Sequence, residues 1–218
     1  MKKQFIVIGL GRFGSSLTKT LMEAGHEVLA VDKDLSLVQE MAEIATHAIQ
    51  ADSTDESVLK ELGAGNFHHA VVAIGENLQA SILTTLILKE MNVPKVTVKA
   101  RNIMHGKVLA KIGADQIVYP ERDMGIRLGK QLSSDNLIDY IQLSPHYHLV
   151  EMKAPKAMNG YTLQELDIRA KYGITVMAIR SGDDINVSPR ADEKIQTGDT
   201  LLLIGSSEEI NHLERKYE

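Results

Sequence analysis

Phe5-Ile6-Val7-Ile8-Gly9-Leu10-Gly11-Arg12-Phe13-Gly14 sets an apolar run directly against a glycine-rich turn, and a second apolar run, Val28-Leu29-Ala30-Val31, ends at Asp32. The order reads as strand, phosphate-binding turn, helix, strand and acid. The glycines allow a tight bend and bring bare backbone N–H groups against phosphate, at a helix N-terminus whose dipole favours anions. Asp32 stands about 20 residues downstream, the spacing at which an acid reaches a bound ribose. Its carboxylate can accept both ribose hydroxyls, whereas the extra phosphate of NADP would meet a negative charge.

Working outward from this turn, strand patterns recur at Gln4–Ile8, Glu27–Val31, His47–Ala51, Ala70–Ile74, Lys95–Ala100 and Gln116–Tyr119, with helical spacing between them. That alternation predicts an α/β fold, a Rossmann-like doubly wound parallel sheet, over residues 1–132. Its first helix lines up Leu17, Leu21 and Ala24 and stops at Gly25, and its third opens on Ser53-Thr54-Asp55-Glu56 and stops near Gly63. The segment Gln79–Met91 carries Ile82, Leu83, Leu86, Ile87 and Leu88 on more than one face, the pattern of a helix that is deeply buried or holds a partner. A helical stretch Arg122–Leu132 follows, then the polar cluster Ser133-Ser134-Asp135-Asn136, read as a hinge. Beyond it, short strands at His148–Lys153, Thr175–Arg180 and Thr200–Ile204 predict a small α+β domain over residues 137–218.

Composition bounds the function. A chain of 218 residues with 44% apolar content supports a packed core in one large or two small domains. No apolar run approaches the ~18 residues of a membrane span, and Met-Lys-Lys is not followed by a signal-peptide stretch, so the expected location is cytoplasmic. The absence of cysteine excludes disulfides, thiolate metal sites and thiol nucleophiles, so any metal must use oxygen or imidazole. Net charge is −5 and neither half has a positive excess, which argues against nucleic acid as a partner.

In an open parallel sheet the ligand lies across the carboxyl ends of the strands. Those ends here supply Gly9, Gly11, Arg12, Phe13 and Gly14, then Asp32, Lys33 and Asp34, Asp52 and Ser53, Ile74, Gly75 and Glu76, Lys99, Ala100 and Arg101, and Glu121, with His105 opening the next helix. Arg12 tilts the ligand from NAD or NADH towards ATP or ADP, because a guanidinium in the turn can fork onto a terminal phosphate. Glu121 near polyphosphate would be repulsive unless a hard cation such as Mg²⁺ or Ca²⁺ bridged them. His68-His69 and His146-Tyr147-His148 offer no third ligand and are read as ordinary histidines.

The turn Gly9–Gly14, Asp32, Asp52-Ser53-Thr54-Asp55, Ala73-Ile74-Gly75-Glu76-Asn77, and Ile112-Gly113-Ala114-Asp115 running into Tyr119-Pro120-Glu121-Arg122-Asp123-Met124-Gly125 together resemble the RCK (KTN) family. Within it the chain is similar to the cytosolic gating subunits of bacterial Ktr potassium uptake systems. The resemblance implies a homo-octameric ring, a tetramer of dimers, docked beneath a membrane-embedded potassium-translocating subunit, hence peripheral on the inner face of the membrane. ATP would favour conduction and ADP would inhibit. By position Arg12 would reach the γ-phosphate, Asp32 the ribose, Asp52 and Ser53 the adenine, and Glu121 an activating divalent cation. The family's C-terminal lobe binds cyclic di-AMP between two subunits, and Asp167, Ile168, Arg169 and Ala170, with Ile174 and Pro189, stand at the matching positions.

Two other readings compete with this one. A soluble NAD-dependent oxidoreductase needs an acid or base poised over the nicotinamide, and the small lobe offers no such constellation. A redox-sensing DNA-binding regulator would need a helix-turn-helix and a basic face, and neither is evident.

Overall fold

The computed structural model describes residues 1–217. Met1–Glu121 forms one compact unit and the chain from Arg122 onward a second. The first unit runs β1 (Gln4–Ile8), α1 (Arg12–Glu23), β2 (Glu27–Asp32), α2 (Leu35–Met41), β3 (His47–Gln50), α3 (Glu56–Glu61), β4 (His69–Val72), α4 (Leu78–Glu90), β5 (Val96–Lys99), α5 (Ile103–Lys111) and β6 (Gln116–Val118). Among the described residues these strands pair in parallel as one sheet in the order β3-β2-β1-β4-β5-β6.

The sequence explains both the sheet and where its helices start. The buried positions of strands β1, β2 and β4 are Val, Ile, Leu, Phe and Ala on both faces, the composition that parallel strands require. Asp34, Asp55, Asn77 and Asn102 cap α2, α3, α4 and α5, each side chain accepting a backbone N–H of the first turn. Each cap follows a strand closely, so the helix N-termini gather along the carboxyl edge of the sheet. The chain winds from β1 to β3 in one direction and from β4 to β6 in the other, which opens a crevice between the ends of β1 and β4.

Helix α4 is buried along one side and not all round. Ser81, Thr84, Thr85, Ile87 and Leu88 are buried, while Leu83 and Leu86 remain 38% and 37% exposed. Beside it α5 exposes Ile103, Met104 and Val108.

The second unit contains most of α6 (Pro120–Leu132), then β7 (Leu137–Gln142), β8 (Tyr147–Lys153), α7 (Leu163–Leu166), α8 (Ile168–Tyr172), β9 (Thr175–Ser181), β10 (Asp184–Asn186), β11 (Thr200–Ser206) and α9 (Ser207–Tyr217). Its strands form an antiparallel sheet in the order β10-β9-β11-β8-β7 around Val150, Met152, Ile174, Leu201, Leu203 and Leu213. Strands β7 and β10 were not expected from the sequence. The polar cluster 133–136 is a turn between α6 and β7, and most of α6 and all of β7 lie on the second unit's side of the division, which falls earlier, after Glu121. The bond network agrees: Arg127 of α6 donates from Nε to Asp139 of β7 at 2.8 Å, and Gln131 donates to the Ile138 carbonyl at 2.6 Å.

Candidate nucleotide site

The crevice is built on an uncapped helix start. Gly11 precedes α1 without a side-chain cap, no acidic residue occupies the first turn, and the amides of that turn have no carbonyl four residues back to receive them. Gly9 takes φ +97°, a left-handed conformation suited to glycine, and a Cβ there would stand 2.9 Å from the Ala73 carbonyl carbon and the Ile74 nitrogen. A Cβ on Gly14 would stand 1.8 Å from the Gly9 oxygen, so the helix can seat against the turn only with glycine at this position. On Gly11 a Cβ would meet open space, the side left for a phosphate to approach.

Asp32 ties the two strand ends together. Its Oδ2 accepts the Leu10 N–H at 2.6 Å and its Oδ1 the Asp34 N–H at 2.9 Å. A carboxylate oxygen has two acceptor sites, so Asp32 fixes the turn and still has lone pairs for ribose hydroxyls. Asp52 is held by the Thr54 hydroxyl and N–H, which keep its carboxyl below the ordinary range.

At the opposite wall, Lys99 of β5 donates from Nζ to Glu121 Oε1 at 2.6 Å and lies 5.9 Å from the centre of the Phe13 ring. The Lys99 hydrogen bond, together with the charges of Lys99 and Arg12, holds the Glu121 carboxyl below the usual carboxylate range. Arg12 itself is exposed at the mouth of the turn. Among the described residues no three His, Asp or Glu side chains are placed to hold a metal ion. A cation at Glu121 would therefore draw further ligands from phosphate oxygens and water.

Some expected contacts face elsewhere. Ser53 is buried and its hydroxyl pairs with Thr84 at 2.8 Å, so its side chain is not free for adenine. Ala100 is core, 1% exposed, and only its backbone can border the crevice. His105 is likewise buried: its Nδ1 accepts the Arg101 N–H at 3.3 Å, and its Nε2 has no partner among the described residues. Lys33, Arg101 and Glu76 are exposed at the strand ends, Ile74 and Gly75 are half-buried, and Asp34 is occupied in capping α2.

In the second unit Asp167 adopts a left-handed backbone, φ 47°, that separates α7 from α8. Asp167, Arg169 and Ala170 are exposed and Pro189 is half-buried, but Ile168 and Ile174 point into the core, where they pack rather than form open walls.

Residues 5–120 match the TrkA-N domain and residues 147–217 the TrkA-C domain. The chain is 56% identical over 216 residues to Ktr system potassium uptake protein C of Bacillus subtilis, covering 99% of this chain and 98% of that protein. The chain belongs to the RCK family. This RCK chain is also 47% identical over 214 residues to Ktr system potassium uptake protein A of the same organism, covering 98% of this chain and 96% of that one. A structure of the GsuK channel bound to NAD shares its fold at a TM-score of 0.71 and 18% identity, over 100% of this chain and 40% of the channel. The RCK chain is thus grouped with potassium uptake proteins. No helix among its described residues is long and apolar enough to cross a membrane.

His68, His69 and His148 are engaged in hydrogen bonds within the fold. His69 Nε2 pairs with the Thr97 hydroxyl, His148 Nδ1 with the Tyr140 hydroxyl, and His68 Nδ1 accepts the Gln4 N–H. Burial holds the imidazoles of His69, His105 and His148 below their ordinary value. The unfolded chain therefore binds more protons than the folded one below about pH 6.5. Stability should fall as pH drops from 7.5 to 5.5, and His105→Gln should flatten part of that slope. Urea unfolding across this range checks it; a midpoint independent of pH would contradict it.

Thr84, which fixes Ser53, escaped the sequence reading. Nothing in its local pattern marks it: the fold brings helix α4 to Ser53 from 31 residues along the chain.

Proposed function

We propose that the chain is the nucleotide-binding regulatory subunit of a Ktr potassium uptake system, which acts on a membrane-embedded potassium-translocating subunit. The observation that carries this reading is the full-length match to Ktr protein C in a chain whose α1 N-terminus is bare and carries Arg12 as its first helical residue. ATP and ADP are the ligands, with NAD the alternative occupant, and their ribose falls to Asp32. The amides of α1 take the phosphates, and Arg12 takes the γ-phosphate that ADP lacks. ATP favours the conductive state and ADP the inactive one through unequal affinity for two conformations. Glu121 serves Mg²⁺ or Ca²⁺ bridged to phosphate.

Assembly follows from exposed apolar surface. Leu83 and Leu86 on α4, Ile103, Met104 and Val108 on α5, and Met124, Ile126, Leu128 and Leu132 on α6 suit contact with further copies in an octameric ring. The ring is peripheral on the inner face of the membrane.

Cyclic di-AMP is the second inhibitory ligand, bound by Arg169 with Ala170, Asp167 and Pro189 between two copies of the second unit, over a floor that includes Ile168 and Ile174. Its two phosphates would meet the arginines of a two-fold pair. Arg169→Ala in the full chain should lower cyclic di-AMP affinity at least tenfold, the scale of a charged hydrogen bond, and leave ATP binding unchanged. Calorimetry with both ligands tests this, and undiminished cyclic di-AMP binding would remove the assignment.

A further inference from the structure

Lys99 is an unusual residue to find at a cation site. Its side chain is only 13% exposed, held between the Phe13 ring and the Gly75 backbone, where Nζ would stand 3.5 Å from a Cβ on Gly75. Its ammonium reaches one acceptor across the crevice, Glu121 Oε1, and Glu121 is otherwise 69% exposed. An ammonium and a hard divalent ion each neutralise a carboxylate, so either can serve as the counter-ion of Glu121.

We infer that Lys99 is a resident counter-ion for Glu121, a built-in substitute for the divalent cation that allows the nucleotide to bind whether or not a metal is present. This rests on the nucleotide-binding reading and specifies how that site is regulated. A polyphosphate seated at the α1 N-terminus faces Glu121; with Lys99 in place the carboxylate is neutralised and repels it little. A divalent ion bridging Glu121 to phosphate would supply the same neutralisation as Lys99, so metal is not required for occupancy. Loss of Lys99 should convert metal from optional to obligatory.

The test is ATP affinity of the full chain by calorimetry, in EDTA and in saturating Mg²⁺. Wild type should bind ATP within about threefold in the two conditions. Lys99→Met, which keeps the length and the packing on Phe13, should bind roughly tenfold or more weakly in EDTA, the scale of a charge-assisted hydrogen bond, and recover with Mg²⁺. Lys99→Met combined with Glu121→Gln should bind in EDTA nearly as well as wild type, because the uncompensated carboxylate is gone. Should Lys99→Met fail to fold, Lys99→Gln takes its place. If the double variant stays as weak as Lys99→Met, or if Mg²⁺ does not rescue the single one, Lys99 is a direct phosphate ligand or a scaffold residue and the inference is overturned. A wild-type chain that binds no nucleotide in either condition overturns the nucleotide reading itself.

Discussion

Gly14→Ala is expected to abolish nucleotide binding and to destabilise the first unit by about 3 kcal/mol or more, at the upper end of what overpacking costs. The added methyl would stand 1.8 Å from the Gly9 carbonyl oxygen and 3.2 Å from the Ala73 Cβ. Neither neighbour can yield: the Gly9 oxygen is backbone of the turn, and the Gly9 N–H is tied to the Val31 carbonyl at 2.8 Å. Relief must come from lifting α1 off the sheet, which displaces the amides that would meet phosphate. Gly11→Ala is the matched control. Its methyl meets open space, so stability should change by less than about 1 kcal/mol, the range of a cap substitution, while a phosphate would lose its approach. Urea unfolding of the two variants separates them; equal stability would show that the α1 seat does not depend on this contact.

Arg12→Ala should selectively weaken ATP. The side chain is exposed at the first position of α1, so its removal should leave the fold intact. A charged hydrogen bond to a terminal phosphate is worth about 1.5–3 kcal/mol, or roughly ten- to more than a hundredfold in affinity. ADP, which ends one phosphate earlier, should lose much less. Calorimetry with both nucleotides decides the matter, and an equal loss for ATP and ADP would reduce Arg12 to a general positive charge at the helix mouth.

The parallel sheet was legible because its strands are continuous apolar runs separated by Asp, Asn and Gly. The crevice was legible because glycine spacing and Asp32 have a local physical meaning. Strand β7 was not, and the reason is visible in its pairing: the register with β8 shifts between Leu137 and Asp139, so the alternation of buried and exposed positions breaks within Leu137–Gln142. Strand β10 has three residues, too few to show a period. Among the candidate ligands, polarity at a strand end identified the edge but not the direction of each side chain. Ser53 turns inward because Thr84, on a helix far along the chain, offers it a hydroxyl. The pairing of Lys99 with Glu121 also depends on tertiary proximity, since β5 and the start of α6 meet only once β6 is docked. The expected hinge at 133–136 marked a real turn, but a polar cluster shows where the chain bends and not which packed unit each side joins.

Potassium flux into vesicles that contain the cognate Ktr membrane subunit, with this chain added at fixed concentration and the nucleotide varied, is the direct test of nucleotide gating. Flux should be high with ATP, low with ADP, and no longer different between the two when Arg12→Ala replaces the wild-type chain. Flux that depends on the chain but is the same with ATP, ADP and no nucleotide would contradict it.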